Sequence, residues 1–339
     1  MKHYSDYELT RWNTYGFPVK AKEVVILEQD EDFIVFSSQR GRYPGPFFIL
    51  GGGSNILFCA DFPGTIVKVA NQGMEVVSRE REGVLLRVSA GEAWETVIDF
   101  CLEHGFGGLE NLTMIPGQAG SAAVQNIGAY GVEAGNVIEK VEVVDMGSGA
   151  VQQIFAADCH FGYRSSIFKD EKYGKKLIRN VYFRLSTYPR VNISYGAVKT
   201  SLSAQHIAHP EIRDVVEIIR RIREEKLPDP VKLGNAGSFF KNPVVSGARY
   251  ASLQVQFPGI PGYPLADGAV KLAAGWLIEA AGWKGYRAGD AGVYPLQALV
   301  LVNYGNATGS DILHLSEQIR ASIQHKFGVM LEREVLVLP

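Results

Sequence analysis

The sequence predicts an α+β protein of more than one domain. Three observations carry this. The chain has 339 residues, more than one simple core serves, so two or three domains are expected. Short apolar runs with β-rich residues dominate the first half, while helical spacing is confined to a few separate stretches. Strands and helices also lack the regular βαβ rhythm of a doubly wound parallel sheet.

The elements follow in order. Residues 23–29 (EVVILEQ) read as helix or strand, 32–38 (DFIVFSS) as strand, and 47–50 (FFIL) as a strand entering GGGSN. TIVKVA at 65–70 closes a small α/β unit. A strand at 83–91 precedes an amphipathic helix at 92–105, with Trp94, Val97, Ile98 and Cys101 on one face and Gly105 as its stop. KVEVVDMGSGAVQQIF at 140–155 is a hairpin about a Met-Gly-Ser-Gly turn, and 176–186 is a further strand. Ile212, Val215, Val216, Ile219 and Ile222 mark a strong helix that ends at LPDP, a segment boundary. Beyond it lie a helix at 267–282, a strand at 298–303, a helix at 310–328 with Ser310 as N-cap, and a closing strand in EREVLVLP. The closing strand is expected to return to the N-terminal sheet.

Composition narrows the function. Hydrophobic residues make up 46% and charged residues 21%, which argues against disorder. A formal charge of −2 offers no global attraction for nucleic acid, so any anion site is local. The three cysteines, Cys59, Cys101 and Cys159, form no CxxC, which argues against a disulfide framework or zinc; no metal is expected. The first residues are polar, without the apolar core of a signal peptide, and no apolar run is long enough for a membrane span. A cytoplasmic protein without membrane partners is expected.

The common catalytic motifs fail. Gly51-Gly52-Gly53-Ser54-Asn55-Ile56 lacks the last glycine of a Rossmann fingerprint, and GxxxxGK[ST] and HExxH are absent. Ser238, in GNAGSFFKNP, lacks the GxSxG elbow and has no histidine nearby in sequence. His206 and His209 read as surface residues. What remains is two glycine-rich loops. GGGSN follows a strand and gathers main-chain N–H groups into a nest for anionic oxygens. In IPGQAGSAAVQNIGAYG, Gly117, Gly120 and Ser121 lead into a short helix whose N-terminus also favours phosphate. Together they suit a dinucleotide pyrophosphate.

ILGGGSNILF, IPGQAGSAAVQNIGAYG, YRSSIFK, LPDP followed by GNAGSFFKNP, and EREV resemble, in order and over nearly the whole chain, the MurB family of UDP-N-acetylenolpyruvoylglucosamine reductases. The resemblance implies a two-part FAD-binding domain of the vanillyl-alcohol-oxidase type and a C-terminal α+β substrate domain. It assigns residues 1–70, with the closing segment 329–339, and residues 71–210 to the two flavin subdomains. Residues 211–227 become a connecting helix and 228–328 the substrate domain.

The implied activity is reduction of UDP-N-acetylglucosamine enolpyruvate to UDP-N-acetylmuramate for peptidoglycan. Hydride passes from NADPH to the flavin and then to the vinyl carbon, and a proton goes to its neighbour. Negative charge develops beside the substrate carboxylate in between and calls for preorganised donors. By resemblance Arg164 grips the carboxylate, Glu334 is the second group, with Glu332 as its rival, and Ser238 gives the proton. From the residues alone, Ser238 is equally a turn residue capping its own backbone.

The flavin contacts so implied are Gly51, Gly52, Gly53, Ser54, Asn55, Ile56, Pro116, Gly117, Gly120, Ser121, Asn126, Gly128 and Ala129. The substrate contacts are Tyr163, Tyr195, Lys226, Asn242, Tyr263 and Lys271. SYGAVK and PGIPGYP match the longer type of the family, in which a tyrosine closes over the substrate. Gln118 and Ala122 leave individual flavin contacts in the second loop open. A monomer is expected. Two other readings stay open. One is an FAD-linked sugar or alcohol oxidase, which often carries a flavin-linking histidine absent from both loops. The other is a non-catalytic nucleotide-sugar binder, which needs no Arg164, Ser238 and Glu334 together.

Overall fold

The computed structural model describes residues 1–339, the side chain of Glu171 apart. The chain is α+β and divides into two compact units. The first holds residues 1–7, 21–52 and 63–225; the second holds 8–20, 53–62 and 226–339. The expected flavin subdomains thus fall largely within one unit, and the dividing point near 52 lies inside GGGSN.

In the first unit, Lys2–Glu8, Lys20–Leu27, Phe62–Val69 and Phe47–Leu50 form a four-stranded sheet in that order. Phe47–Leu50 runs parallel to Phe62–Val69. A five-stranded antiparallel sheet follows, with Lys176–Ser186 between Ile138–Asp145 and Gly83–Ser89. The predicted hairpin is present, pairing Ile138–Asp145 with Val151–Phe155. The helix Trp94–His104 buries Trp94, Val97, Ile98 and Cys101 and ends on Gly105 at φ +69.

In this unit one element departs from expectation. Residues 32–38 belong to a helix, Asp30–Gln39, not a strand. Gln29 and Asp32 close a capping box, and Asp30, Glu31 and Asp32 sit in the first turn, where the helix dipole favours them. Phe33, Phe36 and Ser37 are buried at helical spacing, which overrides the β-rich composition of the run.

The second unit has its own core, including Tyr15, Phe17, Phe239, Phe240, Leu277, Ile319 and Phe327. Gly234–Ser238, Val300–Asn303, Ala291–Val293 and Arg287–Ala288 form one sheet. The stretch 267–282 is not one helix. Ala269–Leu272 is the middle strand of a three-stranded sheet, and only Ala274–Ala280 is helical. Its alternation Ala, Val, Lys, Leu suits the pleat, with Val270 and Leu272 buried. The last helix, Gly309–Phe327, is capped by Thr308, not Ser310: Thr308 Oγ1 accepts from Asp311 N at 3.2 Å and Asp311 Oδ2 accepts from Thr308 N at 2.8 Å. The closing strand, Leu336–Leu338, does not join the N-terminal four-stranded sheet. It pairs in parallel with Ile56–Phe58, just after GGGSN. No helix among the described residues is long and apolar enough to cross a membrane.

Candidate active site

In the first unit the two glycine loops touch. A Cβ on Gly52 would lie 2.9 Å from Gly117 Cα, and one on Gly51 would lie 3.2 Å from Gln118 Oε1 and 3.4 Å from Ser121 Cβ. A side chain at Gly52 would force the loops apart, so this glycine permits a backbone approach that nothing larger allows, while Gly51 makes a close contact with the second loop's side chains. Gly117, after Pro116, has φ +135, closed to other residues.

Ser121 Oγ accepts from Gln118 N at 3.0 Å and closes the start of the helix Ala119–Gln125. Gly120 has a packing role, since a Cβ there would lie 2.8 Å from Ala90 Cβ. Gln118 Nε2 donates to Gly91 O at 2.8 Å, and its side chain completes a capping box with Ser121.

Lys68 stands beneath the first loop and was not foreseen. Its Nζ donates to Gly51 O, and burial pushes its pKa down to about 8. The signal was available: a lone lysine in the otherwise apolar TIVKVA.

Arg164 sits on a tight turn. Gly162 and Ser165 exchange backbone hydrogen bonds of 3.0 Å each way, and Arg164 takes φ +53, strained for a non-glycine residue. Its Nη2 donates to Gly128 O at 2.7 Å, and its guanidinium stands 5.3 Å from the Tyr163 ring centre. The short strand Gly128–Ala129, paired with Val132–Glu133, presents that carbonyl.

Asn126, expected to touch the cofactor, has the hydrogen bonds of a brace. Its Nδ2 donates to Gly162 O and Glu133 Oε2, each at 2.8 Å, and its Oδ1 accepts from Gly135 N at 2.8 Å. Asn126 and Tyr130 share the positive φ of Arg164, at +44 and +49. For Asn126 this is the ordinary left-handed C-cap of the helix Ala119–Gln125, whereas Tyr130 and Arg164 carry strain.

Arg223, in a helix whose many charges hid it, is a second guanidinium here. Its Nη2 donates to Met114 O at 3.1 Å, and burial lowers its pKa from the usual guanidinium value while the Tyr130 phenol opposes the shift. Tyr195 stands exposed at the start of the helix Gly196–Ala204, its ring 5.1 Å edge-on to Tyr130.

The second unit holds the remaining predicted residues. Ser238 ends the strand Gly234–Ser238 on a β-bulge. Asn235 opposes Val302 and Ser238 opposes Val300, so Ala236 and Gly237 together face one partner residue. Gly237 takes φ +68, and its N–H donates to Asn235 Oδ1 at 2.9 Å. The bulge turns Ser238 outward, while Phe239 and Phe240 behind it are 0% and 1% exposed.

The residues after Ser238 pair with EREV. Glu334 N donates to Phe239 O at 2.8 Å, Phe240 bridges Arg333, and Lys241 N donates to Glu332 O at 2.9 Å. Glu332, the rival carboxylate, also forms an ion pair with Lys241. Asn55 Nδ2 donates to Glu334 O at 3.1 Å, and Asn55 O accepts from Leu336 N at 3.1 Å. Ile56 begins the strand that pairs with Leu336–Leu338. Gly53, at φ +71, leaves no room for a Cβ, which would fall 1.9 Å from Trp12 O; the half-buried Ser54 follows it.

Asn242 Oδ1 accepts from Ala274 N at 2.9 Å, so the residue anchors the helix Ala274–Ala280. Tyr263 and Lys271 are register partners and share one face of the small sheet. Lys226 is the exposed last residue of the helix Ile212–Lys226. No group of three or more His, Cys, Asp or Glu suited to a metal occurs among the described residues.

Residues 229–338 match the family model for the C-terminal domain of UDP-N-acetylenolpyruvoylglucosamine reductase, and residues 21–154 match that for an FAD binding domain. The chain is 46% identical over 326 residues to UDP-N-acetylenolpyruvoylglucosamine reductase of Pseudomonas syringae pv. syringae, covering 96% of each chain. It is 44% identical over 329 residues to the protein of that name in Pseudomonas aeruginosa, again covering 96% of each. With the Chromobacterium violaceum protein of the same name, identity is 44% over 335 residues, 98% of each. Among solved structures, it is similar to UDP-N-acetylenolpyruvylglucosamine reductase (MurB) from Thermus caldophilus, with a TM-score of 0.69 and 24% identity over 100% of this chain and 98% of that one. That last likeness is one of fold.

Proposed function

The chain belongs to the UDP-N-acetylenolpyruvoylglucosamine reductase family, and from that premise we propose that it is an FAD enzyme that uses NADPH to reduce UDP-N-acetylglucosamine enolpyruvate to UDP-N-acetylmuramate. The observation that carries the reading is the main-chain pairing of Phe239 with Glu334, which ties the residue after the outward-turned Ser238 to the backbone of EREV within the same unit.

The residues present fit FAD. A Cβ on Gly52 would fill the junction with Gly117, and Gly51 abuts the Gln118 and Ser121 side chains beside it, so the loops leave a bare backbone cradle suited to a phosphate or hydroxyl-bearing group. These residues, with Gly53, Ser54 and Ser121, would hold the cofactor, and Lys68 would supply positive charge beneath the loop. When bound, FAD supplies a two-electron relay that takes hydride from NADPH and gives it up to the vinyl carbon of the substrate.

The protein's own groups do the rest. Arg164, its guanidinium already steered by Gly128 O, binds the substrate carboxylate and meets the negative charge that grows there. Glu334 assists by sharing a proton with that carboxylate. Ser238 breaks its O–H bond as the carbon beside the carboxylate forms its new C–H bond, and it recovers a proton from the solvent side. Tyr195, Tyr263, Lys271 and Lys226 contact the nucleotide and sugar, while Asn242 holds the loop that follows Ser238.

On this reading residues 1–70 and 71–210 serve the flavin, 211–227 connect, 228–328 serve the substrate, and the closing segment 329–339 carries Glu334. The reading places the protein, as a monomer, in the cytoplasm, where NADPH and UDP-sugars are made.

The test is direct. Purified protein is expected to be yellow, to bleach with NADPH under anaerobic conditions, and to regain colour with the enolpyruvyl sugar. A colourless protein, or a reduced one that only oxygen reoxidises, overturns the proposal.

A further inference from the structure

The segment that carries Tyr195 has no regular structure from 187 to 194, so its position depends on side-chain ties. Val191 and Ile193 pack against a small buried cluster that also meets Tyr130, and Asn111 supplies a polar tie. It is 1% exposed, and its Nδ2 donates both to Tyr130 O at 3.1 Å and to Asn192 O at 2.9 Å. One amide thereby joins the strained turn at Tyr130 to the segment leading into Tyr195.

The orientation of that amide is not arbitrary. Two carbonyl oxygens accept only N–H, so the oxygen of Asn111 must point away, and it is buried with no hydrogen-bond partner among the described residues. The protein keeps an unmet buried acceptor in order to hold both carbonyls.

A second tie lies nearer the surface. Asn192 Nδ2 donates to Gly131 O at 3.2 Å, and Asn192 Oδ1 accepts from Ser194 N at 3.0 Å and from Ser194 Oγ at 2.7 Å. Gly131, at φ +82, permits the approach, for a Cβ there would lie 3.1 Å from Ser194 Oγ. Both ties join residues 130–131 to 192–194, and the Tyr130 and Tyr195 rings meet across the same gap.

We infer that Asn111 is a positioning residue for substrate binding: with Asn192 it latches the Tyr195 segment to the Tyr130 turn and so fixes where Tyr195 stands. The inference rests on Tyr195 contacting the UDP-sugar, as proposed above. Asn111 touches no reacting atom and acts only through the segment it holds.

Asn111→Leu keeps the volume and removes both donors. It is expected to raise KM for the enolpyruvyl sugar about tenfold, the worth of one to two hydrogen bonds, with the rate of flavin reduction by NADPH unchanged. In a Tyr195→Ala background the same substitution should add little, because the effect runs through Tyr195. Amide hydrogen exchange of 192–195 should quicken in Asn111→Leu with no substrate present.

Additive KM effects of Asn111→Leu and Tyr195→Ala, an equal loss in both half-reactions, or unchanged exchange at 192–195 would each overturn the latch. If Asn111→Leu does not fold, Asn192→Ala, on the exposed tie, takes its place; it should raise KM severalfold and lose that effect beside Tyr195→Ala, and an unchanged KM overturns the inference. If Tyr195→Ala itself leaves KM unchanged while exchange quickens in Asn111→Leu, the latch stands and the proposed role of Tyr195 falls.

Discussion

The side-chain amide of Asn55 donates to the main-chain oxygen of Glu334 at 3.1 Å. The residue that closes GGGSN is thus tied to the residue that ends the EREV charges, although 279 positions separate them in sequence. The sequence offers Asn55 as a cofactor contact; its side chain also holds the main chain of Glu334. Asn55→Ala should therefore slow reoxidation of the reduced enzyme by the enolpyruvyl sugar by about tenfold, through loss of one hydrogen bond to a positioned group. Rapid-mixing absorbance measures the two half-reactions separately. A slowing confined to the NADPH half-reaction would show that Asn55 serves only the cofactor.

Contact between the two glycine loops gives a prediction about cofactor retention. At Gly52 the obstacle to a side chain is the Gly117 Cα, which is backbone and does not rotate away. Gly52→Ala should part the loops and yield protein that purifies with little flavin. Gly105→Ala is the control: its φ of +69 makes the change strained, by about 1 kcal/mol, but nothing lies within 4 Å of the new Cβ. The control should lower the melting temperature by a few degrees and keep its colour. Equal flavin content in both variants would contradict the role given to the Gly52–Gly117 junction.

The sequence made the local features legible and left the long-range ones hidden. The glycine loops, the helix faces and the hairpin are written in neighbouring residues. The run 32–38 reads as a strand because its β-branched and aromatic residues outweigh the capping box that Gln29 forms with Asp32. The bulge that turns Ser238 outward depends on Asn235 and on register with Val300–Asn303, far along the chain. Asn111 gave no signal, since its two acceptors are backbone oxygens of residues 19 and 81 positions away.

Lys68 predicts a pH dependence. Burial holds its folded-state pKa near 8, against 10.5 for the free side chain. Between those values the unfolded chain binds more protons than the folded one, so stability should rise with pH across that window. Below pH 8 the charged amine is a constant cost, at most about 3 kcal/mol. In flavin-free protein, Lys68→Met should raise the denaturant midpoint at pH 7 and flatten the rise between pH 8 and 10. The same variant should bind FAD more weakly, measured by quenching of flavin fluorescence. A variant no more stable than wild type and equally tight for FAD would remove Lys68 from both accounts.

Ser238 owes its exposure to Gly237, so the pair separates chemistry from placement. Ser238→Ala removes the hydroxyl from an exposed position and should leave folding and flavin reduction near normal. Protonation of the substrate carbon should slow by about 10²- to 10⁴-fold, the usual worth of a positioned acid. Gly237→Ala keeps the hydroxyl but places an L side chain at φ +68, with nothing within 4 Å to obstruct it. Its cost in stability is backbone strain alone, about 1 kcal/mol. If the bulge exists to aim Ser238, Gly237→Ala should slow substrate reduction far beyond what that loss of stability implies, and Gly237→Asn, which tolerates positive φ better, should recover part of the rate. Deuterium from solvent reports the step directly, since the new C–H bond takes its hydrogen from the exchangeable serine. Loss of rate in both half-reactions by the same factor, in either variant, would make Ser238 a structural residue of the turn.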